Sequence, residues 1–159
     1  MSGAIRRMQM TEEIVERTGI DDAMIERLVR RFYERVREDA LLGPIFAARV
    51  ADWESHLQRM FAFWSSVALM TGHYHGQPMM VHMPLPVDAR HFDRWLALFG
   101  ETARAICPPA AADHFLERAA RIAESLELGV ASGRGVLLGK GQRLLPEEER
   151  ERAADDGGH

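Results

Sequence analysis

Apolar residues recur every three or four positions along four long stretches of this sequence, and that spacing places them on one face of an α-helix. The predicted long helices cover residues 22–38, 53–70, 88–106 and 111–131. Strand signals are missing, because no stretch alternates with a period of two and no hairpin dipeptide separates β-branched runs. The sequence therefore predicts an all-α protein.

Residues that favour helix ends support these bounds. Aspartates, whose side chains accept hydrogen bonds from the first free N–H groups, stand where N-caps are expected: Asp21 or Asp22, Asp52 and Asp88. The dipeptides Gly43-Pro44 and Pro108-Pro109 are expected to stop helices, since proline cannot continue a helical hydrogen-bond ladder. A short helix over 11–17, with Thr11 as its cap, is predicted before the first long one.

The chain has the length of one ordinary domain, 159 residues. We divide it into an N-terminal extension (1–20), a helical domain (21–133) and a C-terminal tail (134–159). The tail is expected to be largely disordered, because helical periodicity weakens after Gly133 and the residues from Pro146 onward are mostly charged.

Composition excludes several classes of function. The formal charge of -4 and the pI of about 6.0 give no basic footprint for nucleic acid. No apolar run approaches the ~18 residues of a membrane span, and Met1–Met10 lacks the apolar core of a signal peptide, so we expect a cytoplasmic protein. The single cysteine, Cys107, cannot form an internal disulfide or a thiolate metal cluster.

One stretch, 72–86, is rich in glycine and proline and contains His82, a histidine with apolar neighbours in the sequence. His82 lies among methionines and valine, where each ring nitrogen needs a partner. Two interpretations stay open from the residues alone: a core histidine bonded to a backbone carbonyl, or a metal or haem ligand. A zinc site with His73 and His75 is weakly supported, because the spacing matches no standard pattern.

Other candidate side chains are equally ambiguous. His56 shares an apolar helix face with Met60 and Phe63, and such a histidine is more often structural than functional. Tyr33 and Trp95 each carry a hydrogen-bond donor that needs a partner when buried. No H-E-x-x-H, phosphate-binding glycine loop, G-x-S-x-G or Glu-x-x-His motif is found.

Short motifs follow one another in a specific order over about residues 25–128. They are Phe32-Tyr33-x-x-Val36-Arg37-x-Asp39, Leu42-Gly43-Pro44-Ile45-Phe46, Trp53-x-x-His56, Phe63-Trp64, Tyr74-x-Gly76-Gln77-Pro78 with His82 four residues on, and Phe92-x-x-Trp95-Leu96-x-Leu98-Phe99. This string resembles the group III truncated haemoglobins. The chain departs from the family in a shorter connection between Phe46 and Trp53, and in segments before Asp21 and after Arg134 that match no family counterpart.

The resemblance implies a truncated globin fold, a two-over-two helical sandwich around one haem b. It implies that His82 is the proximal iron ligand, that Tyr33 and Trp95 line the distal side, and that His56 stands at the distal entrance. Residues that are expected to form the flat apolar slot for the cofactor are Phe46, Met60, Phe63, Met79, Val81, Leu85 and Phe99.

The function implied is reversible binding of oxygen, nitric oxide or carbon monoxide at ferrous iron, with a reductase as a further candidate partner. The alternative is a haem enzyme with peroxidase-like or nitric-oxide-detoxifying activity, since a distal pocket with several donors also suits such chemistry. A third hypothesis is a metal-free helical interaction module, which a Soret band in the purified protein would exclude.

Overall fold

The computed structural model describes residues 3–72, 74 and 85–156. This part of the chain forms helices and no strand, so the all-α prediction is confirmed. The helices are α1 (Gly3–Thr18), α2 (Asp22–Glu38), α3 (Gly43–Arg49), α4 (Trp53–Leu69), α5 (Ala89–Ile106), α6 (Pro109–Gly133) and α7 (Glu147–Asp156). Within these ranges, no helix combines the length and the apolar character needed to cross a bilayer.

The predicted N-caps are confirmed at three helices. The Asp21 carboxylate accepts a hydrogen bond from Met24 N at 2.8 Å, and Asp52 accepts one from Ser55 N at 3.3 Å. Asp88 forms a reciprocal capping box, in which its own N–H donates to a ring nitrogen of His91. Each cap satisfies backbone donors that a helix leaves free, so local sequence determines where these helices begin.

The four long central helices form two layers, as the two-over-two prediction requires. Helix α2 packs against α4, α5 packs against α6, and contacts of α2 with α5 and of α4 with α6 join the layers. The core between them is aromatic, and its largest fully buried side chains are Phe32, Trp64, Phe99 and Phe115. Burying one large apolar side chain stabilises a fold by about 1.5–3 kcal/mol, so these four rings contribute much of the free energy that holds the two layers together.

Two elements near the N-terminus differ from the sequence-based prediction. Helix α1 has 16 residues and extends well before 11–17. Thr11 is therefore not an N-cap, and its hydroxyl instead donates to the Leu69 carbonyl at the end of α4. A helix also begins at Gly43-Pro44, where the prediction had only a stop, because proline is favoured in the first turn of a helix, where its missing N–H costs nothing.

Residues 134–146, which the sequence analysis places in the C-terminal tail, make specific contacts with the helical domain. Leu144 is fully buried and joins Val87, Phe92, Val130 and Ala131 in a second small core. This segment folds back over α5 and α6 in an irregular conformation, and its sequence accordingly lacks a helical period. Residues 147–156 form α7, and three glutamates in its first turn are favourably placed for a helix N-terminus.

Candidate functional site

An aromatic cluster joins α2, α3 and α4 around Tyr33. The Tyr33 ring centroid lies 5.0 Å from that of His56, 5.7 Å from that of Phe46 and 6.1 Å from that of Trp53. These are the distances and tilted geometries that favour contact between aromatic rings. We call these four residues the Tyr33 cluster, and it brings two of the predicted ligand-facing residues, Tyr33 and His56, into contact.

The Tyr33 hydroxyl is buried and protonated. The residue is 5% exposed, and burial raises the pKa of its phenol well above the usual range because the phenolate would lose its hydration. Among the residues that the structure describes, no group forms a hydrogen bond with this hydroxyl. A neutral phenol can donate one hydrogen bond, and whether a bound molecule accepts it here stays a prediction.

His56 lies in the first turn of α4, at the outer side of the Tyr33 cluster. It is half-buried and contacts Phe46, Trp53 and Tyr33 through its ring. The Arg37 guanidinium lies 4.6 Å above the Trp53 ring and covers the cluster toward solvent. His56 is thus partly buried among aromatic rings, and its role at the distal entrance stays a prediction.

Helix α4 continues the site with a half-buried apolar face. Met60 and Phe63 follow His56 at spacings of four and seven residues, which places all three on the same side of the helix. The fully packed face of α4, with Trp64 and Ala68, is turned toward the core instead. Phe63 also contacts Tyr74, with ring centroids 5.2 Å apart.

Trp95 reaches the site from α5 as part of a stack of rings. Its indole is nearly parallel to Phe99 at 5.6 Å and to Trp64 at 6.5 Å. Phe32 contacts both Tyr33 and Trp95 edge to face, at 5.0 Å and 5.6 Å, and so fixes the spacing between α2 and α5. Phe99 has no exposed surface and supports Trp95 from the core side, so its direct contact with a cofactor stays a prediction.

An ion pair connects the end of α2 to α5 next to Trp95. The Asp39 carboxylate accepts hydrogen bonds from Arg94 at 2.7 Å and from the Leu42 N–H at 2.9 Å. Burial acts to raise the pKa of Asp39, but these hydrogen bonds outweigh it and hold the pKa below its usual value. The turn before α3, which carries Phe46 into the cluster, is thereby tied to the helix that carries Trp95.

Several of the remaining predicted residues lie in a stretch that the structure does not describe. His82, Met79 and Val81 lie outside the described residues, as do the alternative ligands His73 and His75. Cys107 is buried, and this burial raises the pKa of its thiol.

Two residues at the cluster belong to the motifs quoted above but were not predicted to be site residues. Trp53 forms one wall of the Tyr33 cluster, and Arg37 covers it. The signal was present, because Trp53 precedes His56 by three positions and one helical turn places them side by side. The contact of Arg37 depends on how α2 and α4 cross, and no local pattern indicates it.

A further histidine proves to be structural. His114 on α6 is buried, its Nε2 lies 2.8 Å from the Ala68 carbonyl, and Arg17 approaches its Nδ1 at 3.5 Å. Because a carbonyl only accepts, Nε2 carries the proton that is donated to it. His114 therefore joins α6 to the end of α4 and to α1, and it takes no part in the site.

Comparison with known proteins identifies a family. A family model described as bacterial-like globin matches residues 13–127 of this chain. The group 3 truncated haemoglobin Ctb of Campylobacter jejuni is 34% identical over 113 residues, which cover 68% of this chain and 89% of that protein. The group 2 truncated haemoglobin YjbI of Bacillus subtilis is 28% identical over 81 residues, 50% of this chain and 61% of that protein.

The fold agrees with the sequence comparison. The crystal structure of the group III truncated haemoglobin from Campylobacter jejuni superimposes with a TM-score of 0.63, at 34% sequence identity. The superposition covers 67% of this chain and 88% of that chain. The family match ends at residue 127, so the last part of the chain is described here by its own contacts.

Proposed function

Because this chain belongs to the bacterial-like globin family and is a truncated haemoglobin, we propose that it binds one haem b through His82 and takes up oxygen, nitric oxide or carbon monoxide reversibly. Membership of the family implies haem-based binding of diatomic ligands. The haem type, the ligand His82 and the preference for oxygen are the parts that we propose. When bound, the ferrous haem supplies the open coordination position that a diatomic ligand occupies.

The described residues fit a haem. A porphyrin needs an apolar surface at least one helical turn long, and α4 presents Met60 and Phe63 half-buried on such a face. Phe46 continues this surface from α3.

The buried hydroxyl of Tyr33 is the observation that carries the proposal. It retains its proton, lies beside His56 and Phe46, and has no hydrogen-bond partner among the described residues. A diatomic ligand that gains partial negative charge on binding would accept this hydrogen bond. Such charge-assisted bonds are stronger than neutral ones, so Tyr33 favours slow release of oxygen.

The other residues act around that donor. Trp95 supplies a second N–H from α5, and Phe32 holds the two helices at a fixed spacing. Trp53 and Phe46 stack at 6.4 Å and exclude water from the cluster. His56 stands between this interior and solvent, where its rotation would control access.

The test is the absorption spectrum of the purified protein and of histidine variants. We expect a Soret band in the wild-type protein and loss of tight haem binding in His82→Ala, with partial recovery on addition of imidazole. His75→Ala is the matched control, since it removes another histidine of the same stretch and should leave the spectrum unchanged. A five-coordinate ferrous spectrum of wild-type form in His82→Ala without imidazole would show that the proximal assignment is wrong.

A haem enzyme with peroxidase-like or nitric-oxide-detoxifying activity is the second candidate. The presence of two potential donors, Tyr33 and Trp95, on different helices favours it, because such donors also assist reactions of peroxide. Turnover of peroxide, or of nitric oxide with a reductase and oxygen, separates the enzyme from the binder. The reductase and the cytoplasmic location stay predictions.

A further inference from the structure

Helix α1 carries three exposed apolar side chains on one side. Met8 is 63% exposed, Ile5 is 48% exposed and Val15 is 39% exposed. Because successive residues turn by about 100° around a helix, positions 5, 8 and 15 lie on the same side of α1. We call these three residues the α1 stripe. Exposed apolar side chains that gather on one side of a helix, unlike scattered ones, indicate a contact surface.

Another side of α1 fixes the helix to the rest of the protein. Ile14 and Thr18 are buried, and Ile14 belongs to the main core. The Thr11 hydroxyl donates to the Leu69 carbonyl at the end of α4. The α1 stripe is turned away from this buried side by roughly a quarter of a turn. It therefore lies on a helix whose position is already determined, and it is open to a partner.

The charges of α1 are separated along its length. Residues 3–10 contain two arginines and no carboxylate, whereas residues 11–18 contain three glutamates and one arginine. The side chains that produce this separation are Arg6, Arg7, Glu12, Glu13 and Glu16. None of the five forms an ion pair within the part of the chain that the structure describes. This order also opposes the helix dipole, which favours negative side chains near the N-terminus and positive ones near the C-terminus.

We propose that two copies of this chain associate through α1, with the two helices antiparallel about a two-fold axis near the middle of the helix. An antiparallel pair brings the first half of each helix beside the second half of the other, so the arginines of one copy lie opposite the glutamates of its partner. The two α1 stripes cover each other. A second copy thus supplies both the apolar surface and the opposite charges that α1 lacks within its own chain.

The size of α1 determines how strong this contact can be. A helix of 16 residues is about 24 Å long, so an interface confined to it is at the small end of protein–protein interfaces. We therefore expect a dimer that forms as the protein concentration rises and that weakens as salt screens the opposing charges. The α1 stripe lies outside the Tyr33 cluster, so the proposal does not depend on haem binding.

The first test is sedimentation velocity of the full-length protein over a wide range of concentrations. Met8→Glu places a charge in the α1 stripe and should weaken association by roughly tenfold or more, because the contact would bury that charge. Since Met8 is mostly exposed, the melting temperature of the monomer should not change. Leu137→Glu is the matched control, because Leu137 is 86% exposed and lies outside α1, and it should associate like wild type.

The second test reverses the charges of α1 one half at a time. The pair Arg6→Glu and Arg7→Glu makes the helix acidic along its whole length, and the pair Glu12→Arg and Glu16→Arg makes it mostly basic. Each double variant alone should stay monomeric, because like charges then face each other across the two-fold axis. An equimolar mixture of the two should recover association, which a loss of folding in either variant could not produce.

Three results would overturn the proposal. The first is a wild-type chain that sediments as a monomer at every concentration, and the second is a dimer that persists unchanged in Met8→Glu or in each charge variant alone. The third is binding of the wild-type chain to vesicles of anionic lipid without self-association, which would assign the α1 stripe to a lipid surface. The glutamates of α1 argue against that occupant, since anionic head groups repel them.

Discussion

The imidazole of His56 meets the ring of Tyr33 edge to face, with 5.0 Å between the centroids and 87° between the planes. The two residues come from different helices, α4 and α2, and each is held by further rings of the Tyr33 cluster. The predicted donor and the predicted entrance residue are therefore in direct contact. Changes at either position are expected to affect ligand binding, but in different kinetic steps.

Tyr33→Phe should speed the release of oxygen. Removing the hydroxyl deletes a hydrogen bond to a partly charged acceptor, worth about 1.5–3 kcal/mol, which corresponds to roughly a tenfold to hundredfold faster release. Stopped-flow displacement of bound oxygen measures the release rate. Tyr74→Phe is the matched control and should leave the rate close to wild type.

Trp95→Phe should act in the same direction as Tyr33→Phe, since it removes the second donor and keeps the stack on Phe99. Unchanged release in both variants would mean that another group, with His56 as the first candidate, holds the ligand. That result would remove the observation on which the proposed function depends.

His56→Leu should change association more than release. The ring closes the cluster among Phe46, Trp53 and Tyr33, and leucine leaves a gap there, so we expect association to rise by roughly threefold to tenfold, or about 1 kcal/mol on the entry barrier. Flash photolysis of the carbon monoxide complex gives the association rate, and stopped-flow displacement of the bound ligand gives the release rate. His56→Phe keeps a flat ring and should stay nearer to wild type, and a change confined to release would make His56 a donor to the ligand.

Asp39→Asn should destabilise the protein in a pH-dependent way. The folded pKa of Asp39 lies below its unfolded value, so its stabilisation is fully present above the unfolded pKa and is lost as the pH falls through the folded pKa. We expect a loss of about 1–2 kcal/mol at pH 7, and a difference from wild type that shrinks below about pH 4. Urea unfolding of both proteins at several pH values measures this difference in the free energy of unfolding.

The control for Asp39 is an ion pair of the same type at the surface. Asp113 lies 3.5 Å from Arg104 with both side chains exposed, and Asp113→Asn should have little effect at any pH. An equal loss of stability in the two variants would indicate that net charge, and not the buried contact of Asp39, is responsible.

Gly43→Ala should displace α3 and with it Phe46. A Cβ at this position would lie 2.9 Å from the Arg37 carbonyl oxygen, which belongs to the backbone of α2 and cannot move freely. Overpacking of this kind costs about 1–3 kcal/mol, so the melting temperature should fall by several degrees. Gly3→Ala, which meets no atom within 4 Å, should not lower it.

Local sequence was sufficient for the parts of the fold that local physics determines. The N-caps Asp21, Asp52 and Asp88 were predicted because one side chain satisfies N–H groups two or three residues away. The apolar period then located the core faces, and Phe32 and Trp64 are fully buried as their positions require. The bounds of the helices and the residues that face the core follow from interactions within a few helical turns.

The parts that were missed depend on contacts between distant segments. The start of α3 requires glycine at position 43 because a Cβ there would lie 2.9 Å from the Arg37 carbonyl oxygen, and the sequence shows the glycine but not this neighbour. The order of residues 134–146 depends on Arg143 meeting Glu127, sixteen positions away along the chain. In the sequence, the charged residues and the weak helical periodicity of this segment are typical of a solvated tail.

The aromatic packing around the site has one more consequence. All three tryptophans lie in it, Trp53 in the Tyr33 cluster and Trp64 and Trp95 in the stack with Phe99. A strongly absorbing prosthetic group bound beside these rings would quench their fluorescence together. The intrinsic tryptophan emission of the purified protein should therefore report cofactor occupancy, falling as the cofactor is loaded and rising as it is lost, without any label.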